Sequence, residues 1–213
     1  MAKATTISPK HSMVPKPGMF VFSFPFIFIS SYFQCYWSLK DGNGTITWSD
    51  ALLTPAGVAQ AQKANQFCHS QILTQKIPTP ESYYTSPLLR CMATALTTFS
   101  GLELPLNRPF VPTIKELFRE SIGAHTCDRR SSKSVIHANY PTWPFEEGFE
   151  EEDPLWSATE RETDEAHDQR TRVVLDDVFS TDDKTYISIS SHSGQISSIL
   201  RGKLFYTIMG RAC

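Results

Sequence analysis

The chain has 213 residues, 40% of them hydrophobic and 20% charged, with 20 Lys and Arg against 22 Asp and Glu for a formal charge of −2. That length and composition predict one soluble globular domain with ample chain for a core, and the absence of a basic stripe or of aromatic–basic interleaving excludes a nucleic-acid-binding surface. Five cysteines (Cys35, Cys68, Cys91, Cys127 and Cys213) are odd in number and include no C-x-x-C, which argues against a disulfide framework or zinc ribbon and for a reducing compartment, cytoplasmic or nuclear.

Residues 1–18 are polar and carry Pro9, Pro15, Pro17 and Gly18, the composition of a mobile arm. Met19 to Phe33 is uncharged and holds six of the fourteen Phe residues. Three readings compete there. A signal peptide lacks a clean small-residue cleavage site, a stable membrane span is disfavoured by the short run and by Pro25, and a buried first strand has to accept an unusual density of Phe. Asp41-Gly42-Asn43-Gly44-Thr45 is a turn. It opens like a calcium loop, but Ile46 stands where glycine is needed and Leu52 where the bidentate acid is needed, so calcium is excluded.

Thr54-Pro55 starts a helix, Thr as N-cap and Pro at the first helical position. Val58, Ala61, Phe67, Cys68 and Ile72 follow as its core stripe, and Pro78 and Pro80 close the segment. Cys68-His69 has no further ligand at metal spacing and reads as helix surface. Tyr83-Tyr84 is a short strand, and Thr85-Ser86-Pro87 repeats the cap-plus-proline start of a helix carrying Leu89, Met92, Ala93, Leu96 and Phe99, with Gly101 in the left-handed position beyond its end. Arg90 falls in the first turn of that helix, where a cation opposes the dipole. A surface salt bridge is the bland account of it; binding an anion together with the helix N-terminus is the favoured one.

Phe110-Val111 is strand-like, and residues 116–130 combine acids, Gly123 and a dense set of Arg and His in a loop context, where functional groups concentrate. His125-x-Cys127 as a metal pair is the lesser reading. Residues 139–156, rich in Pro, Trp and Glu, predict an irregular lid or surface insertion with its charge run solvated. Ser157-x-x-Glu160 fits a capping box, opening a helix with Ala166, Val173, Val174 and Val178 on one side. Asp182-Asp183 leads into Tyr186, Ile187 and Ile189, a buried strand. A His192-Ser193-Gly194 turn then opens a helix around Ile196, Ile199 and Leu200. Strands alternating with helices predict an α/β fold. In such a fold the carboxyl end of a strand, at the start of the next helix, is where a ligand and especially an anion sits. That is the position of His192; a histidine in an ordinary strand-to-helix loop is the alternative.

Tyr84-Thr85-Ser86-Pro87-Leu88-Leu89-Arg90-Cys91, then Leu117-Phe118-Arg119-Glu120, then Ser190-Ser191-His192-Ser193-Gly194 resemble the later motifs of the histidine phosphatase superfamily, the phosphoglycerate-mutase-like enzymes. The wording around Asp41 to Trp48, Leu53 to Gly57 and Glu120 to Arg130 is most similar to its fungal phosphomutase-homology branch. The resemblance implies a three-layer α/β/α phosphoglycerate-mutase-like fold over residues 35–213, with the insertion at about 139–156, preceded by an atypical segment over 1–34. It also implies a phosphatase acting on a small phosphorylated metabolite, or binding inorganic phosphate, with no metal and no cofactor. Carried across by motif, Arg90 and His192 are the phosphate-binding residues, and Glu120 and His192 the catalytic ones, Glu120 as general acid and base.

The family also uses an Arg-His-Gly motif on its first strand, whose His takes the phosphoryl group. No Arg-His-Gly occurs in this sequence; the upstream histidine is His11, in Lys10-His11-Ser12. The strand and helix that the resemblance implies after Leu200 are also not matched. The expectation is that both ends reflect retained non-coding sequence or altered splicing, leaving a product without its nucleophile. A working phosphatase, a non-catalytic phosphate-binding relative, and a protein tethered or secreted through residues 19–33 are the three functional classes to separate.

Overall fold

The computed structural model describes residues 20–22 and 38–209. The proposed arm, His11, Cys35, Cys213 and the Phe-rich stretch apart from Phe20–Phe22 lie outside the described residues. A parallel sheet of four strands forms the middle of the molecule in the order β1 (Phe20–Phe22), β4 (Ile187–Ser190), β2 (Ser82–Thr85), β3 (Thr113–Ile114). β4 is interior: Phe20 stands opposite Ser188 on one side, and Tyr84 opposite Ile189 on the other. All four of its residues are buried, as a parallel strand covered on both faces requires.

The period-2 alternation of the strands assigns the two layers. Tyr83 packs edge-on against Phe99 and Phe110, toward α2 (Leu89–Phe99), whereas Tyr84 turns to Phe118 on the opposite face. That second face is filled by Phe118, Val174, Val178, Ile187 and Ile189 under α4 (Asp164–Thr181). The first core holds Met92, Ala95, Ile114, Ile136, Trp143 and Phe149. α1 (Pro55–Gln75) packs on α2, and α5 (Ser193–Met209) on α4, which completes the α/β/α layering. A short α3 (Lys133–Asn139) and two single-turn 3-10 helices, Glu116–Phe118 and Thr126–Asp128, lie between β3 and α4. Among the described residues no helix is long and apolar enough to cross a membrane.

The local signals hold in several places. Thr54 Oγ1 accepts from Gly57 N with Pro55 at the first position of α1, and Gly101 follows α2 at φ +70°. Asn43 Oδ1 takes the N–H groups of Thr45 and Ile46, each at 3.0 Å, in a turn that uses Gly42 and Gly44 at positive φ.

Elsewhere the structure corrects the expectation. α1 buries Ala61, Ala64 and Cys68, while Val58 and Phe67 are exposed: three small residues at helical spacing, not the larger apolar ones, form its buried face. α2 begins at Leu89 rather than at Pro87, because its cap comes from Asp50, whose Oδ1 accepts from Leu89 N at 2.8 Å. The third strand is Thr113–Ile114, and Phe110 is instead an aromatic packing residue stacked on Phe99 at 4.8 Å. Ser157 closes a turn by accepting from Thr159 N and Glu160 N, and α4 starts later, with Thr163 as its cap accepting from Ala166 N. The buried face of α4 is His167, Thr171, Val174 and Val178, leaving Ala166 and Val173 outside.

Residues 139–156 are irregular but are no free lid. Trp143 and Phe149 are in the core, and Phe145 bridges to Ile114 as a strand residue would. The backbone carbonyls of Glu150, Glu151 and Glu152 are all spent on Arg130, so the acidic run is solvated only at its side chains.

Candidate functional site

β4 runs out at Ser190, and two residues later His192 precedes the first turn of α5. Its ring is buried, with Nε2 2.8 Å from Ser86 Oγ at the end of the neighbouring strand β2. Ser86 Oγ also accepts from Leu88 N at 3.3 Å, so one hydroxyl fixes both the imidazole and the approach to α2. Burial lowers the His192 pKa well below the ordinary imidazole value, and the positive charges of Arg90, Arg119 and Arg170, with His167, push the same way. At neutral pH His192 is therefore an uncharged imidazole in a positive field.

His167 and His125 are lowered too, again chiefly by burial. Groups whose folded pKa lies below the unfolded value leave the unfolded chain holding more protons as pH falls, so their contribution is fully present above the unfolded imidazole pKa and is lost below it. Urea unfolding is expected to show a lower midpoint at about pH 5.5 than at about pH 7.5, bracketing that unfolded pKa of roughly 6.5. The drop should be smaller in His192→Gln. An equal drop in the variant would show that His192 does not carry the effect.

Glu120 comes to the same place from the loop after β3. Its Oε2 accepts from Gly194 N at 3.3 Å and its Oε1 from Ser121 N at 3.1 Å. A Cβ at Gly194 would lie 2.1 Å from Oε1, so the carboxylate rests directly on the first turn of α5. A side chain at that position would push the Glu120 carboxylate away from the helix turn.

Arg90 sits in the first turn of α2, nearly buried. Its Nη1 donates to Cys127 O at 2.6 Å and its Nη2 to Asp128 Oδ1 at 2.8 Å. The structure thus shows a buried ion pair where the sequence left a choice between surface salt bridge and anion site. The other three of its five N–H donors make no bond among the described residues. Asp128 is shared, its Oδ2 accepting from Arg161 Nη1 at 2.8 Å. Asp50, capping α2, adds a second carboxylate close enough to act on Arg90.

Three arginines that the sequence did not single out hold this arrangement. Arg119 is 0% exposed; it forks onto both oxygens of Asp153 at 2.7 Å each and donates to Glu116 and to Asp128 O. Arg130 donates through all its nitrogens to Glu116 and to the carbonyls of Ser131, Glu150, Glu151 and Glu152. Arg170 forks onto Glu162 and takes the carbonyls of Leu117, Arg119 and Glu120, so it fixes the backbone that presents Glu120. Arg170 also donates to Gln195 Oε1 at 3.2 Å, which identifies that atom as oxygen and makes His167 Nε2, 2.6 Å away, a donor.

The structure therefore brings Glu120 and His192 to one helix N-terminus and sets Arg90 close enough for its charge to act on His192. Among the described residues no cluster of three or more metal-ligating side chains occurs, around His125 and Cys127 or elsewhere.

A sequence model of the histidine phosphatase superfamily (branch 1) matches residues 37–208. Over 165 residues the chain is 54% identical to a protein of Arthroderma benhamiae named Probable phosphoglycerate mutase, covering 78% of this chain and 49% of that one. Over 168 residues it is 38% identical to Phosphomutase-like protein 3 of Candida albicans, covering 78% and 51%. The chain thus spans about half the length of the curated relatives it matches. Among solved structures, a mycobacterial glucosyl-3-phosphoglycerate phosphatase superposes with a TM-score of 0.44 at 17% identity, over 72% of this chain and 68% of that one.

Proposed function

The chain belongs to the histidine phosphatase superfamily, branch 1, and from that premise we propose that Arg90, His192 and Glu120 form the pocket for the phosphoryl group of a small phosphorylated metabolite. The observation that carries this reading is His192: a buried, neutral imidazole held by Ser86 at a strand-to-helix junction, with the charges of Arg90, Arg119 and Arg170 acting on it. A phosphoryl group needs positive charge and donors around its oxygens more than covalent help from the protein. The Arg90 donors that make no bond among the described residues and the N–H groups at the start of α5 are proposed to supply them. Glu120, seated on Gly194, is placed to exchange a proton with an ester oxygen. The arginines provide the countercharge a metal would otherwise bring, and the three free cysteines among the described residues, Cys68, Cys91 and Cys127, fit a cytoplasmic protein.

In relatives that carry Arg-His-Gly, a histidine forms the covalent phosphoryl intermediate that splits the displacement in two. This sequence contains no such motif, so the proposed role of the chain as written is to bind the phosphoryl group without turning it over. The test pairs calorimetry of inorganic phosphate with release of nitrophenolate from 4-nitrophenyl phosphate. Phosphate is expected to bind, with release no faster than in His192→Ala. Release that depends on His192 would make the chain an active phosphatase, and no phosphate binding would remove the pocket altogether.

A further inference from the structure

Behind Glu120 the hydrogen bonds close a ring through α4. The Glu120 carboxylate rests between two backbone donors, Ser121 N at 3.1 Å from Oε1 and Gly194 N at 3.3 Å from Oε2. The side chain of Ser121, and that of Gln195 next to Gly194, both reach His167. Ser121 Oγ lies 3.3 Å from its Nδ1, and Gln195 Oε1 lies 2.6 Å from its Nε2. One imidazole thus joins the loop that carries Glu120 to the helix turn that receives its carboxylate. His167 is 2% exposed and Gln195 0%, so bulk water does not compete for the bond between them.

Each arm of the ring has a fixed direction. Gln195 Oε1 also accepts from Arg170 Nη1, so His167 Nε2 carries the proton of their shared bond. Burial, and after it the charge of Arg170, lower the His167 pKa against the opposing pull of Gln195, Glu162 and Glu120. The ring is neutral at neutral pH, which leaves Nδ1 bare to accept from the Ser121 hydroxyl. Arg170 touches the same loop, but through the carbonyls of Leu117, Arg119 and Glu120, so it fixes the path of the loop. Its bond to Gln195 is the longer one, 3.2 Å against 2.6 Å, which makes His167 the closer tie between loop and helix.

We propose that His167 is a positioning residue, which holds the Glu120 carboxylate on the first turn of α5 by tying Ser121 to Gln195. The inference rests on the role proposed above for Glu120 at the phosphate pocket. The Gly194 N–H reports on it directly. A first-turn amide has no partner within its own helix, so the bond to Glu120 is what protects this one from exchange. The test measures amide hydrogen exchange by NMR on the whole chain and on His167 variants that keep the wild-type circular dichroism spectrum. His167→Ala removes both arms, His167→Asn keeps an acceptor for Ser121, and His167→Gln keeps a donor for Gln195. Gly194 is expected to exchange about ten-fold faster in His167→Ala and about three-fold faster in the other two, the scale of one or two lost hydrogen bonds. The Ile196 N–H, bonded to His192 O at 2.8 Å in the same helix start, should keep its rate. In a Glu120→Ala background, His167→Ala should change the Gly194 rate no further. An unchanged Gly194 rate in any of the three variants, an equal acceleration at Ile196, or an effect that persists without Glu120 would overturn the inference while inorganic phosphate still binds the wild-type chain. Failure of inorganic phosphate itself to bind would overturn the pocket, and the inference with it.

Discussion

Asp153→Ala is expected to lower the unfolding free energy by about 3–5 kcal/mol, the usual cost of removing one member of a buried ion pair. Asp153 accepts the two-pronged fork of Arg119, and its oxygens also take the N–H groups of Arg130, Leu155 and Trp156. Arg119 is 0% exposed and its Nε has no partner among the described residues, so loss of the fork leaves a guanidinium in the interior held, among those residues, by Glu116 and Asp128 O. Burial pushes the Asp153 carboxyl up, but the Arg119 fork and the backbone donors outweigh it and hold the pKa below the ordinary carboxylate value. Its stabilising share is therefore present above the unfolded pKa and is lost as pH falls through the folded one. Urea unfolding of the variant at neutral pH checks the magnitude. A loss under about 1 kcal/mol, the scale of an exposed pair, would mean that the Arg119 network is not what closes the loop over residues 141–163. Asp153→Asn, which keeps the shape and two hydrogen-bonding atoms, should fall between.

Arg90→Ala is expected to weaken inorganic phosphate binding by about 10- to 100-fold, the equivalent of one charge-assisted hydrogen bond of roughly 1.5–3 kcal/mol. Arg90→Lys should recover only part of it, since a lysine brings the charge without the planar fork. The cost to the fold should be smaller than for Asp153, because Asp128 keeps Arg161 on its other oxygen when Arg90 is gone. Calorimetry on the two variants, each checked for a wild-type circular dichroism spectrum, makes the comparison. Unchanged affinity in a folded Arg90→Ala would show that the guanidinium is fully taken up by Cys127 and Asp128 and does not face the ligand.

What could be seen in the sequence is what depends on neighbours in the chain. The apolar run Ile187 to Ile189, followed by a histidine and a glycine, placed a buried strand, a turn and a helix start in the order the structure has them. Thr54-Pro55 set the first residue of α1 for the same reason. What could not be seen depends on partners far along the chain. The cap of α2 is Asp50, 39 residues before Leu89, so the local Ser86-Pro87 signal marked the wrong start. Arg119 and Arg130 belonged to a visible concentration of charge and Arg170 to a later helix, but their burial rests on Asp153, Glu116 and Glu162, and charged residues read locally look solvated. The acidic stretch over 139–156 misled in the same way: Trp143 and Phe149 point inward and Glu146 turns in to Lys115 and Glu116 N, while Glu147 and Glu150 to Glu152 point out, and its composition averages the two.

The most direct test of the phosphate pocket is an NMR titration of the His192 imidazole with inorganic phosphate at neutral pH. The account predicts ring signals that shift saturably, together with a His192 pKa that rises from its depressed value in the free chain as the bound anion offsets the field of Arg90, Arg119 and Arg170. Ring signals and a pKa that stay where they are while phosphate is raised to concentrations that perturb other residues would contradict it.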